Sequence, residues 1–317
     1  MFDYLPESLR KHATEDETRH YSLAGLTQSE FEALLDEFEI EWSENDSRER
    51  VEADKRQFPL ADIELSGART TIDFDALSIR DSKYVLAANS YADVSGFTAF
   101  VESATTDGAK AEALKAFHVI RREHARVIKS DYDAVRVQYQ GDRVQGLTHL
   151  PTDDWKAIAT AAVETAIGLQ SSFEITLKEA LPSIQKLGLA VGVGLGWTVA
   201  TKLGPRGHRD RICLGDAVSR AERNEENVDK GEIGIDKATY DQLDDALRAR
   251  FAWNNPSRCY VAAGLTWEKV EAESVAEALR RGAIYVGPAG GATRISPSPT
   301  PGTRRVTPSS SWGPSER

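Results

Sequence analysis

The stretch Tyr84-Val85-Leu86-Ala87-Ala88-Asn89-Ser90-Tyr91-Ala92-Asp93-Val94-Ser95-Gly96-Phe97-Thr98 decides how this chain is read. Tyr84–Ala92 is apolar and aromatic enough for a buried strand. The strand ends on an acid, and Val94-Ser95-Gly96 leads into a helix expected over Phe97–Ser103. A helix N-terminus offers free N–H groups and the positive end of a dipole, which together seat a phosphate. An aspartate beside such a seat suits a divalent cation bridging the same phosphates. The plainer reading of Asp93 is a helix cap.

Toward the C-terminus the pattern alternates. A helix is expected over Ala109–Lys129, then strands over Ala134–Tyr139 and Val144–Leu150, joined at Gln140-Gly141-Asp142-Arg143. Asp153–Ala180 reads as a long helix stopped near Pro182. Strands follow at Leu187–Leu195, Thr198–Leu203 and Arg211–Leu214, then a helix at Ala217–Asn227 and a strand at Gly231–Ile235. Gly192-Val193-Gly194-Leu195-Gly196 lacks the spacing of a dinucleotide-binding loop and reads as a glycine-rich strand. This order predicts an α+β sandwich, with helices on one face of a mostly antiparallel sheet.

The N-terminal side is different in character. Residues 1–25 are irregular and charged, and Thr27-Gln28-Ser29-Glu30 has the form of a capping box. Phe31, Leu34, Leu35 and Phe38 follow at helical spacing, residues 41–57 read as a linker or a solvated helix, and 62–79 as extended chain. Beyond Pro288 the composition predicts a disordered tail. Three parts are therefore expected: an acidic segment over 1–80, a domain over 81–287 and a tail over 288–317.

The formal charge of −11 over 317 residues sits wholly in the first part, where 9 basic face 20 acidic side chains; residues 81–317 hold 30 of each. No basic patch shows along the chain, which argues against nucleic acid as a partner. Leu187–Val199, the longest apolar run, carries four glycines and is too short to span a membrane. The first residues lack the basic and apolar regions of a signal peptide, and two cysteines make neither a disulfide framework nor a four-cysteine zinc site. A soluble cytoplasmic protein is expected.

Two further blocks bear on chemistry. Asp142 sits at a hairpin tip that an antiparallel layout can bring beside Asp93, and two converging carboxylates suit two-metal phosphoryl transfer. The plainer reading of Asp142 is a turn former. In Leu214-Gly215-Asp216-Ala217-Val218-Ser219-Arg220-Ala221-Glu222-Arg223, Ser219 and Arg223 share one helical face. Arg223 there can meet charge that builds on a phosphoryl group. Arg220 and Glu222 read as a solvated face.

Taken together, Tyr91–Thr98, Gly141-Asp142-Arg143-Val144, and Leu214–Val218 with Arg223 resemble the catalytic domain of the class III nucleotidyl cyclases, over about Tyr84–Leu243. The resemblance implies a ferredoxin-like fold working as a head-to-tail homodimer, with sites shared across the interface. It implies two divalent cations, Mg²⁺ or Mn²⁺, on Asp93, Asp142 and the carbonyl of Val94. Ser95, Gly96, Phe97 and Thr98 would cradle the phosphates of a nucleoside triphosphate, with Arg223 supplied by the other subunit. The base pocket departs from the purine pattern. Gln138 stands where adenylate cyclases of the family carry lysine, Ile212 where they carry a polar residue, and Ser219 where an asparagine orients the ribose. No clear match exists for the phosphate-binding lysine.

In that altered pocket and one-domain build the chain resembles the pyrimidine cyclases of the Pycsar anti-phage system. Their cyclic UMP or cyclic CMP activates a separate effector protein; the resemblance favours UTP over CTP. Tyr91 and Tyr139 are candidates to contact the base, although strand alternation puts Tyr139 on the face opposite Gln138. The alternatives are a purine cyclase with an unusual pocket, or a cyclase-like regulatory module without turnover.

Overall fold

The computed structural model describes residues 44–57, 60–205, 208–280, 284–286 and 292–294. Contacts divide the chain into Met1–Ile63 and Glu64–Arg317. In the first unit, α1 (Glu44–Gln57) is a highly charged helix whose residues 48–56 are exposed, the solvated helix among the two readings offered above. The capping box at Thr27–Glu30 and the stripe Phe31–Phe38 lie outside the described residues.

In the second unit the elements run β1 (Glu64–Ser66), β2 (Asp81–Ser95), α2 (Phe97–Glu102), α3 (Asp107–Arg126), β3 (Val135–Gln140) and β4 (Arg143–Thr148). There follow α4 (Trp155–Ser171), β5 (Gly188–Leu203), β6 (Asp210–Leu214), α5 (Asp216–Glu226) and β7 (Glu232–Ile235). The described chain then continues through α6 (Lys237–Gln242), α7 (Asp245–Arg248), β8 (Ala252–Asn254), β9 (Cys259–Ala263), α8 (Trp267–Arg280), β10 (Ile284–Val286) and β11 (Ala292–Arg294). The main sheet runs β3-β4-β2-β5-β7-β9-β8, with β1 on β2 and β6 on β5. All its pairings are antiparallel except β1 with β2 and β5 with β7. The α+β class and the mostly antiparallel sheet are as expected.

Four expectations are corrected. Leu187–Leu195 and Thr198–Leu203 are one strand, because Gly196 and Trp197 pair with Ala87 and Leu86 without a break. The apolar run thus supplies the first part of β5, Gly188 to Val199, buried as far as Gly196, with Trp197 exposed. Helices also cover both faces of the sheet. Leu86, Ala88, Ala92 and Val94 pack with α3 and α4, whereas Val85, Ala87 and Tyr91 point the other way. That second face is closed by Val218 and Ala221 of α5 and by Ile72, Phe74 and Leu77. Residues 64–80 therefore pack on the sheet; the contact division falls at Ile63, not at residue 80. Finally, Ala292–Arg294, within the expected tail, pairs with Ile284–Val286 as a short antiparallel ladder.

The glycines of β5 explain how α5 reaches the sheet. A Cβ on Gly192 would lie 2.1 Å from the Ala221 carbonyl oxygen, and one on Gly194 2.4 Å from that of Ala217. The helix backbone rests directly on the strand backbone, at a distance only hydrogen side chains permit. Asn224 Nδ2 then donates to the Val193 carbonyl at 2.8 Å, and Arg220 to that of Leu195 at 2.8 Å. Gly192→Val should therefore push α5 off the sheet and cost ~2 kcal/mol or more. Urea unfolding checks this; an unchanged midpoint would mean that the helix does not bear on the strand.

Candidate functional site

The antiparallel pairing of β2 with β4 runs to Ala92 opposite Val144 and so sets the β3–β4 hairpin tip beside the end of β2. Gly141 at that tip has φ 66°, and Gly96, which opens α2, has φ 87°. Both are left-handed positions that glycine occupies without strain. Asp93 and Asp142 are each half-buried and meet here. Burial, and then the charge of Asp93, push the Asp142 carboxyl above its ordinary value, against hydrogen bonds from its own N–H and that of Val94. Burial likewise raises Asp93, with Arg143 opposing. Two carboxylates that disfavour each other's charge in a half-desolvated turn fit a divalent cation.

Among the described residues no cluster of three or more His, Cys, Asp and Glu side chains could hold a metal. Two carboxylates and a backbone carbonyl are nonetheless enough for a cation that keeps waters and takes substrate phosphates as ligands. Val94 is buried, and Ser95 half-buried. The Phe97 ring is anchored against Phe100 and Phe117, with centroids 5.9 and 5.1 Å away. This fixes the start of α2, whose first N–H groups, from Phe97 and Thr98 onward, have no intrahelical acceptor.

A cleft of about 450 Å³ lies on the α5 side of the sheet, lined among others by Tyr91, Gln138, Ile212, Ser219 and Glu222. Four of the residues singled out in the sequence thus meet. Gln138 Nε2 donates to Gln145 Oε1 at 3.2 Å, which ties its amide to the cleft wall. Tyr91 is buried, with the Arg143 guanidinium 5.6 Å above its ring. Tyr139 is not brought into this cleft. Its hydroxyl donates to the Arg121 carbonyl and its ring packs on the α3 side, as the alternation along β3 requires. Arg223 is exposed, with no side-chain partner among the described residues. Neither it nor the Asp93–Asp142 turn lines the cleft.

Arg143 was missed as a functional residue. It follows Asp142 directly and reaches Glu222 at 2.9 Å, Glu225 at 2.8 Å and Glu226 at 3.5 Å. Glu222, read as solvated, is thereby engaged, and so is Arg220, which binds buried Asp236 at 2.6 Å. The only sequence signal was an arginine beside an aspartate and a glutamate-rich helix end. Glu225 is buried, and its Oε2 approaches Arg143 without hydrogen-bond alignment. Three glutamates share this one guanidinium, so burial prevails and the Glu225 carboxyl is pushed up to about 7.

A carboxyl that binds its proton more tightly when folded favours the folded state most below its unfolded value of 4.5, and loses that advantage as pH rises through about 7. In EDTA, Glu225→Gln should therefore gain thermal stability relative to the parent as pH rises from 4.5 to 7. Parallel pH profiles for the two proteins would overturn this assignment.

Comparison with known proteins bears on the family. The chain is 29% identical over 258 residues to a uridylate cyclase from Pseudomonas aeruginosa, covering 78% of this chain and 50% of that protein. It is 30% identical over 187 residues to a uridylate cyclase from Rhizobium sp. (strain PP-F2F-G36), covering 58% of this chain and 36% of that one. The crystal structure of a class III adenylyl cyclase-like ATP-binding protein from Pseudomonas aeruginosa superposes with a TM-score of 0.67 at 27% identity, over 82% of this chain and 55% of that one. The chain thus spans about half the length of these relatives or less. Residues 84–272 match the adenylate and guanylate cyclase catalytic domain, so the site described above belongs to a member of that family.

Proposed function

We propose that the chain is a nucleotidyl cyclase that converts a pyrimidine nucleoside triphosphate, UTP ahead of CTP, to its 3′,5′-cyclic nucleotide and pyrophosphate. The observation that carries this reading is the meeting of Asp93 and Asp142 beside the open N-terminus of α2. The 3′-oxygen attacks the α-phosphorus, the bond to the β-phosphate oxygen breaks, pyrophosphate leaves, and the hydroxyl proton passes to solvent. Asp93, Asp142 and the Val94 carbonyl would hold Mg²⁺ or Mn²⁺. Such ions, when bound, acidify the attacking hydroxyl and offset phosphate charge. The first amides of α2, with Ser95 and Gly96, hold the polyphosphate. Arg223 meets the charge that grows on the transferring phosphoryl group, and Ser219 sets the ribose.

The base reading rests on the cleft. Buried Tyr91 fills part of its floor, and apolar Ile212 cannot pair with the edge of adenine, which leaves room and chemistry for a smaller base. The two uridylate cyclases named above support the same choice. Because the Asp93–Asp142 turn stands outside the cleft of its own chain, whereas Arg223 shares a face of α5 with Ser219 of that cleft, a head-to-tail homodimer that brings one chain's turn to the other chain's cleft and arginine completes the constellation. A cyclic pyrimidine nucleotide made this way serves as a second messenger, read by a separate effector in antiviral defence. Among the described residues no helix is long and apolar enough to cross a membrane, which supports a cytoplasmic site of action.

Incubation with each of the four nucleoside triphosphates and Mn²⁺, followed by product separation, tests the substrate. Cyclic UMP is the expected main product; a cyclic purine nucleotide instead would support the purine reading. Asp93→Ala or Asp142→Ala should abolish turnover, and Arg223→Ala should lower kcat by about 10²–10³-fold. Mixed and refolded together, Asp93→Ala and Arg223→Ala chains should regain roughly a quarter of parental activity, since random pairing leaves one intact site in half of the dimers. No regain would sink the shared site.

A further inference from the structure

On the face of the sheet away from α5, helix α3 and the edge strand β3 enclose a groove of about 580 Å³. Its wall carries Arg121, Arg122 and Arg126 from the helix, Lys129 from the π-helical turn Val127–Asp131 that follows it, and Arg136 from the strand. Arg121, Arg122, Arg126 and Lys129 already fall within nine residues of sequence that hold one acid, Glu123. Folding brings Arg136 beside them.

Two observations set this groove apart. The first is charge without counter-charge. Arg143, Arg211 and Arg220 are bound by Glu222, Asp75 and Asp236 at 2.9, 2.7 and 2.6 Å. Among the described residues, Arg121, Arg122, Lys129 and Arg136 have no carboxylate partner, and Arg126 has only Glu123 at 4.0 Å. The second is how the half-buried arginines are held. The Arg121 guanidinium lies 4.0 Å over the Tyr139 ring and 5.0 Å over Phe117, and Arg136 lies 5.0 Å over Tyr139. Stacking orients a guanidinium through its face and leaves the in-plane N–H donors free. Forks held this way, with no neutralising acid, are built for an anion that accepts bidentate hydrogen bonds.

We propose that the groove between α3 and β3 is a second, noncatalytic binding site, and that its ligand is a small molecule bearing a polyphosphate group. Four unneutralised cations in one small-molecule-sized cleft require several negative charges in a compact volume, and a polyphosphate supplies them. Tyr139 of this groove and Gln138 of the catalytic cleft are consecutive residues of β3 on opposite faces. A ligand seated here lies across the sheet from the base pocket, the two joined through β3.

The test is titration calorimetry on the full chain in EDTA, with inorganic tripolyphosphate as the probe. The background variant is Arg223→Ala, which removes the catalytic arginine. One binding event per chain is expected. It should weaken at least tenfold, about 1.4 kcal/mol, on adding Arg122→Ser and Lys129→Ser. Both side chains are exposed, so the substitutions do not threaten the fold. UTP also fits the catalytic cleft, so only the UTP binding that the two serines weaken belongs to the groove: if it is tighter than the tripolyphosphate binding they weaken, the ligand is a nucleotide, and if equal, the bare anion suffices. Absence of binding, binding indifferent to the two serines, or selective binding of duplex DNA or anionic vesicles would overturn the proposal. None of these outcomes depends on cyclase turnover.

Discussion

The direct seating of α5 on the glycines of β5 is the contact on which the rest depends. At Gly192 and Gly194 nothing larger than hydrogen separates helix backbone from strand backbone. That closeness lets Arg220 and Asn224 bond to β5 carbonyls and places Glu222 and Glu225 within reach of Arg143. It also decides which face of α5 stays open. Ala217, Val218 and Ala221 are consumed by the sheet, so Ser219 and Arg223 must point outward. A glycine-rich strand, unremarkable as a motif, thus determines where Arg223 stands.

The charges around the hairpin tip form one coupled system. Arg143 stacks on Tyr91, pairs with three glutamates, and moderates Asp93 and Asp142. Burial wins over that single cation at each of the buried or half-buried carboxylates, since the pKa of Asp93, Asp142 and Glu225 all rise. The region also gathers Asp93, Asp142, Glu222, Glu225 and Glu226 around one cation, Arg143, a surplus of carboxylates that a divalent ion relieves. The −11 of the whole chain has no part in this, because residues 81–317 are balanced and their local imbalances are made by folding.

Much of this could be read in advance, and the failures have identifiable causes. The strand over Tyr84–Ala92, the Gly141–Asp142 tip and the helix after Gly215 are local features, coded by apolar runs and turn residues within a few positions of each other. The split imagined at Gly196–Trp197 failed because a glycine beside a tryptophan looks like a break, while β2 holds both in register. Residues 64–80 were read as extended chain outside the domain because Ile72, Phe74 and Leu77 are sparse in sequence, although they are buried on the sheet. Tyr139 was placed correctly only as far as alternation allowed: opposite Gln138, and so outside the cleft.

The sequence by itself determined the class of fold and the kind of chemistry available: carboxylates at two turns, an arginine on a helix face, and glycines where backbones must meet. Only the tertiary structure decided the partners. Arg143 and Glu222 lie 79 residues apart, and their pairing follows from helix seating, not from local pattern. The same holds for the groove where Arg136 joins the arginines of α3. Propensity acts between neighbours along the chain, whereas desolvation and Coulomb energy act between neighbours in space, and folding alone makes the second from the first.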